Sequence, residues 1–309
     1  MPVHPQVQAL IEVAAAAPPV WELPPEEARR LARERDALTA RTVPPLAREE
    51  DLAIPGPAGT ILGRLYDPAP ADRLPLLVYL HGGGWVVGDR LSNAAMLRRL
   101  AVEAPCRIVS VDYRLSPEHR FPAAVDDSVA ATRYFLEREP VVAVGGASAG
   151  GALAAAVAIA LRDTDGPKLA AQWLLYPVTD YGFDTESYRE KGEGYGLSRQ
   201  GMEFYWSCYL ERPGDGLAAS PLRVPDLAGL PPAIVMTAEF DPLRDDGRLY
   251  AHRLNAAGVP VVLRDYAGMH HGFAVQIGLV DDAAKAVSDA AAELRQNFAA
   301  SSQPSGGVR

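Results

Sequence analysis

A chain of 309 residues with 48% hydrophobic and 22% charged side chains is long and apolar enough to bury its own core without disulfides or metals. Its net charge of −9 argues against nucleic acid or an anionic membrane as a partner. Cys106 and Cys208 lack metal-ligand spacing and read as buried free thiols, and the N-terminus has no basic region before an apolar stretch broken by Glu12, Pro18 and Pro19, so neither a signal peptide nor a membrane span is expected there, and a cytoplasmic location is expected.

Residues 1–45 read as helical pieces interrupted by proline. Val7, Leu10, Ile11 and Ala14 recur at helical spacing, and Pro24-Pro25-Glu26-Glu27 opens a second helix over about 25–40. The alternating charges of Glu26, Glu27, Arg29, Arg30, Arg33, Glu34 and Arg35 read as a solvated face, with Leu31 and Leu38 on the apolar side.

Strand signals begin near Asp51. Segments 51–54 and 60–67 flank the turn-rich 55–59 and predict a hairpin. The continuous apolar run 74–80 predicts a strand buried on both faces, and His81-Gly82-Gly83-Gly84-Trp85 follows at once. A helix over 93–104, a strand over 107–112, a helix over 122–137 and a strand over 141–145 lead to Gly146-Ala147-Ser148-Ala149-Gly150. An alanine-rich helix, 149–161, and a strand, 169–176, come next. From 182 to 216 glycines and tyrosines increase and short helical runs such as 202–210 appear, which reads as an insertion. Alternation then resumes with strand 233–238, helix 243–257, strand 261–266 and helix 282–297, before a polar tail, 301–309, expected to be disordered. Strands alternating with helices imply an α/β fold with a mostly parallel sheet covered on both sides.

Residues 146–150 match G-x-S-x-G in the strand–turn–helix setting that this pattern requires. Taken alone, Ser148 could equally be an ordinary helix N-cap. Nucleophilic serine chemistry also needs oxyanion donors, a base and a group to orient it. Consecutive glycines let backbone N–H groups converge on one point, so Gly83 and Gly84 are expected to join Ala149, whose N–H opens the helix. A phosphate cradle would want Gly-Lys-Ser/Thr before the helix, and none is present. His81 reads as a structural side chain of this loop. The candidate bases are His270 and His271, in a loop after strand 261–266, and position alone does not separate them. Among Glu239, Asp241, Asp245 and Asp246, Asp241 is favoured as the acid because it lies just before Pro242; the alternative is a helix cap. The order Ser148, Asp241, histidine is that of α/β-hydrolases.

Together His-Gly-Gly-Gly-Trp, Gly-x-Ser-Ala-Gly-Gly, Asp-Pro-Leu-Arg-Asp and His-Gly-Phe resemble the bacterial hormone-sensitive-lipase-like (family IV) carboxylesterases, and Tyr113–Ala123 is similar to a structural segment of that family. The likeness spans about residues 1–298. It implies an α/β-hydrolase fold with a mostly parallel central sheet flanked by helices and a helical cap. It also implies His271 as the base, since the family's base directly precedes Gly-Phe, and Asp241 as the acid.

By the same resemblance, residues 1–45 and 182–216 form the cap, 46–181 and 217–300 the two parts of the hydrolase core, and 301–309 a tail. Trp85, Phe204, Tyr205, Trp206 and Tyr209 are candidates to line the substrate pocket; core packing is the alternative. Arg114, Glu118, Asp126 and Asp127 are expected in structural ion pairs or caps. Ala147 departs from the family pattern, where aspartate usually precedes the serine, although the triad does not need that carboxylate.

The expected function is hydrolysis of short- to medium-chain acyl esters through a Ser-His-Asp triad and an acyl-enzyme, with no cofactor or metal, a small-molecule ester as partner, and a homodimer as the assembly. An amide or acetyl hydrolase would use the same triad. A non-catalytic receptor on this fold is disfavoured because plant gibberellin receptors, which resemble this family, have lost the histidine that is present here.

Overall fold

A computed structural model of the chain describes residues 2–164 and 166–302, without the side chain of Leu38. Positions 303–309 of the expected tail therefore lie outside the described residues. The strands are β1 (Arg48–Gly56), β2 (Gly59–Asp67), β3 (Leu76–Leu80), β4 (Arg107–Val111), β5 (Val142–Ala147), β6 (Gln172–Leu175), β7 (Ala233–Phe240) and β8 (Val261–His270). The helices are α1 (Pro5–Ala15), α2 (Pro25–Ala40), α3 (Ala94–Glu103), α4 (Ala123–Leu136), α5 (Ala149–Arg162), α6 (Glu186–Lys191), α7 (Arg199–Tyr209), α8 (Arg244–Ala256) and α9 (Asp281–Ser301).

All strands join one eight-stranded sheet in the order β1-β2-β4-β3-β5-β6-β7-β8. The expected hairpin is β1–β2, and pairing runs to Gly56 opposite Gly59, so the turn is tighter than the composition of 55–59 implied. β2 pairs antiparallel with β4, and every later pairing is parallel. Parallel strands need crossovers, and helices on both faces provide them.

Residue alternation sorts the sheet into two buried layers. Leu76, Val78 and Leu80 of β3, Val144 of β5 and Val235 of β7 pack with Phe135 of α4, Leu153 and Val157 of α5, and Tyr250 and Leu254 of α8. Leu77 and Tyr79, Ala143, and Ile234 and Met236 point the other way, against Val7 and Ile11 of α1, Leu97 and Leu100 of α3, and Leu294 and Phe298 of α9. Strands enclosed on both faces carry apolar residues on both, which is why the sequence shows near-continuous apolar runs there, with Ser110, Gln172 and Thr237 as buried polar residues within them.

Three expectations need correction. β6 is shorter than 169–176, and β8 runs on to His270, so that histidine belongs to a strand and not to a loop. Cys106 is buried, but Cys208 is only half-buried. Helix α7 buries Met202, Trp206 and Tyr209, and Cys208 falls at the border of that face.

Candidate active site

The parallel strands end along one edge of the sheet, and the residues that follow them meet there. Leu80 pairs with Gly146, Ala147 with Leu175, and Phe240 with His270. His81, Ser148, Tyr176, Asp241 and His271 each come next in the chain. Open parallel sheets bind ligands beyond the carboxyl ends of their strands for this reason.

Ser148 sits between β5 and α5 at φ 57°, ψ −118°, a conformation costly for a residue with a Cβ. The surroundings enforce it. The Ser148 N–H donates to Leu175 O at 2.9 Å, and its carbonyl accepts from Ala152 N at 3.1 Å and Val178 N at 3.3 Å. A Cβ on Gly146 would stand 2.2 Å from Gly150 O, and one on Gly150 would stand 1.9 Å from Leu80 O. Glycine is required at both places because backbone, not a movable side chain, fills the space. Ser148 occupies the N-cap position, yet its side chain caps nothing. Its Oγ lies 2.9 Å from His271 Nε2 instead.

His271 Nδ1 lies 2.7 Å from Asp241 Oδ2. A carboxylate only accepts, so Nδ1 carries the proton and Nε2 is left to accept from the serine hydroxyl. Asp241 is fully buried, and its Oδ1 accepts from Leu243 N at 2.8 Å, which fixes the carboxylate plane. The Tyr176 ring packs 4.7 Å from the imidazole. Tyr176 was not singled out in the sequence, where it is the last residue of the predicted strand 169–176; Pro177 directly after it was the available signal.

The neighbouring His270 faces away. Its Nε2 contacts Gln276 Oε1 at 3.3 Å, and burial holds its pKa below the usual histidine value. Alternation along β8 thus separates the two histidines: residue 270 still belongs to the ladder, and residue 271 leaves it.

The glycine loop after β3 has positive φ at Gly83 (107°), Gly84 (60°) and Trp85 (62°). The carbonyl of Gly83 accepts from Val86 N at 3.1 Å and Val87 N at 3.0 Å. The N–H of Gly84 belongs to the same peptide plane and points the opposite way. Among the described residues, no protein acceptor engages the N–H groups of Gly83, Gly84 or Ala149. His81 is buried below the loop, where Tyr113 stacks on its ring at 4.2 Å and donates to its carbonyl at 2.7 Å. Burial disfavours the charged imidazole and pushes the His81 pKa down.

Of the candidate pocket residues, Trp85, Trp206 and Tyr209 are buried against one another. Trp85 stacks on Tyr209 at 4.1 Å and lies 4.7 Å from Trp206. They pack the junction between the glycine loop and α7. Phe204 and Tyr205 are half-buried. The Tyr205 ring lies over Gly84, where a Cβ would meet it at 2.2 Å.

The charge pattern on α2 also requires correction. Arg30 pairs with Glu27 and Glu34 on an exposed face, as expected. Arg29 instead turns inward beside the buried Ala28 and Ala32. Its Nε donates to Val86 O at 2.8 Å, and its terminal nitrogens reach Ser116 O at 2.9 Å and Glu118 at 2.6 Å. One side of a helix must face the molecule, and a run of mixed charges does not reveal which arginine lies there. Arg114 pairs with Asp127 at 2.8 Å, as expected, and Asp126 is exposed. Among the described residues, no group of three or more His, Cys, Asp or Glu could hold a metal ion.

Comparison with known proteins fits this geometry. A family model described as an alpha/beta hydrolase fold matches residues 77–275. Carboxylic ester hydrolase LipN of Mycobacterium tuberculosis is 43% identical over 239 residues, 72% of this chain; the match takes in 63% of LipN, less than two thirds of its length. Esterase LipI of the same organism is 40% identical over 278 residues, 85% of this chain and 86% of LipI. Among solved structures, a hyperthermophilic esterase from the archaeon Pyrobaculum calidifontis is similar with a TM-score of 0.92 and 37% identity, covering 96% of this chain and 99% of that one.

Proposed function

This chain belongs to the hormone-sensitive-lipase-like branch of the α/β-hydrolase fold family and is a carboxylic ester hydrolase, and from that premise we propose that Ser148, His271 and Asp241 are its catalytic triad and short- to medium-chain acyl esters its substrates. The observation that carries the reading is the unbroken chain from Ser148 Oγ to His271 at 2.9 Å and on to Asp241 at 2.7 Å.

His271 Nε2 takes the proton from Ser148 Oγ as the oxygen attacks the ester carbonyl. Asp241 keeps the imidazole in the required tautomer and stabilises its cation. The N–H groups of Gly83, Gly84 and Ala149 receive the oxyanion. As the tetrahedral intermediate collapses, His271 returns the proton to the departing alcohol. Water then attacks the acyl-enzyme with His271 again as base, releasing the acid and restoring Ser148.

The cap in this reading comprises 1–45 and 182–216. Contacts between the two stretches support it: Trp21 packs beside Gly201, and Tyr205 clusters with Ala28 and Ala32. Within the first stretch, α1 packs on the sheet, and α2 faces the insertion. No helix among the described residues is long and apolar enough to cross a membrane. A homodimer is part of the proposal; among the described residues β8 has no strand partner besides β7, and the N-terminal segment reaches it only near its end, where His4 N donates to Gly268 O at 3.0 Å.

The test is hydrolysis of p-nitrophenyl esters from acetate to dodecanoate, with matched anilides, by wild type and Ser148→Ala. Ester turnover that peaks at short chains and disappears in the variant is expected. Preference for the anilides, or activity surviving in Ser148→Ala, would overturn the reading.

A further inference from the structure

We propose that Arg29, on the N-terminal helix α2, is a positioning residue for the oxyanion loop. The inference rests on the reading that Gly83 and Gly84 supply oxyanion donors.

An N–H group is useful in the transition state only if its direction is fixed beforehand. The direction of the Gly84 N–H is set by the plane of the peptide it shares with the Gly83 carbonyl. That carbonyl is held by the N–H groups of Val86 and Val87, at 3.1 and 3.0 Å. Glycines at positive φ resist rotation weakly, so the peptide depends on where Val86 and Val87 are held.

Arg29 holds them. Its Nε donates to Val86 O at 2.8 Å and a terminal nitrogen donates to Ser116 O at 2.9 Å. Ser116 N in turn donates to Trp85 O at 2.8 Å. One planar guanidinium thus braces both the glycine loop and the segment beside it. Planar, delocalised and multiply donating, arginine suits this task where lysine does not. Glu118 orients the guanidinium from outside through both carboxylate oxygens, at 3.0 and 2.6 Å. Arg29 is 17% exposed and Glu118 49%, so the carbonyl contacts lie inside and the ion pair at the rim. The consequence is that α2, which comes from outside the alternating α/β core, contributes to the rate of the chemical step.

The experiment compares Arg29→Met, Arg29→Lys and Glu118→Gln with wild type. It measures kcat and KM on p-nitrophenyl butyrate, the affinity for a trifluoromethyl ketone that forms a tetrahedral adduct, and thermal stability. For Arg29→Met, kcat is expected to fall about 10- to 100-fold, less than loss of a whole oxyanion donor, with KM changed under about 3-fold. Ketone affinity should fall in parallel with kcat/KM. Arg29→Lys should recover only part of the loss, and Glu118→Gln should lose the least. A lower melting temperature with kcat and ketone affinity intact, assayed well below melting, would make Arg29 merely structural and overturn the proposal. Ser148→Ala as a parallel control separates the two failures: if it stays active, the reading of the site is wrong, whereas a dead Ser148→Ala beside an unaffected Arg29→Met removes only this inference.

Discussion

Phe240 and His270 face each other across β7 and β8, and Asp241 and His271 are the residues that immediately follow them. Two adjacent parallel strands therefore release an acid and a base at the same height, side by side, and the 2.7 Å contact between them follows from the register. A slip of one residue in either strand would shift its terminal residue against the neighbour's and turn that strand's side chains to the other face, parting the pair. The irregularity in pairing between Ala238 and Phe240, just before the strand ends, sets that register.

Asp241→Asn should keep the fold and lose the chemistry. The amide oxygen can still accept from Leu243 N, which turns the NH2 toward His271 Nδ1 and favours the wrong tautomer. A fall in kcat of about 10⁴-fold is expected, with melting temperature little changed. Steady-state kinetics beside thermal denaturation check it; a loss under tenfold would remove Asp241 from its proposed role.

Gly150→Ala should be destabilising before it affects catalysis. The added carbon would stand 1.9 Å from Leu80 O and 2.5 Å from His81 O, both backbone atoms at the root of the glycine loop. Neither can retreat without moving β3, so a cost of about 3 kcal/mol or more is expected. Urea denaturation measures it, and a variant within about 0.5 kcal/mol of wild type would contradict the packing described.

Tyr209 tests packing against pocket lining. Tyr209→Ala removes the partner stacked on Trp85 and should cost about 3–5 kcal/mol. Tyr209→Phe keeps the ring and should leave both stability and the preference among acyl chain lengths as in wild type. A changed chain-length profile in Tyr209→Phe would instead put its hydroxyl in contact with substrate.

Acid should weaken the fold through His81 and His270. Burial lowers both folded pKa values below the unfolded value near ~6.5. Above that pH both states are neutral and nothing changes. Below it the unfolded chain takes up protons that the folded chain refuses, so stability falls as pH drops. Melting temperatures from pH 8 to pH 5 should decline less steeply in His81→Asn and His270→Asn than in wild type. Slopes equal to wild type in both variants would show that neither buried imidazole contributes.

The sequence by itself determined the alternation of strands and helices, the enclosed parallel sheet, and the places where only glycine fits. Each of these is a local matter: periodicity reports which faces are covered, and a glycine beside a strand end reports backbone pressed against backbone. Gly146, Ser148 and Gly150 were legible for that reason, and so was the glycine loop at 82–84. Choosing between His270 and His271 needed family resemblance in the sequence, because the end of β8 is a property of its pairing with β7. Tertiary structure alone decided that Trp85, Trp206 and Tyr209 pack together, that Tyr176 lies against the imidazole, and that Arg29 turns inward while Arg30 does not. These depend on partners far away in the chain, Val86 for Arg29 and His271 for Ser148. A side chain's partner across such a distance is fixed by how the layers stack, and local spacing carries no record of it.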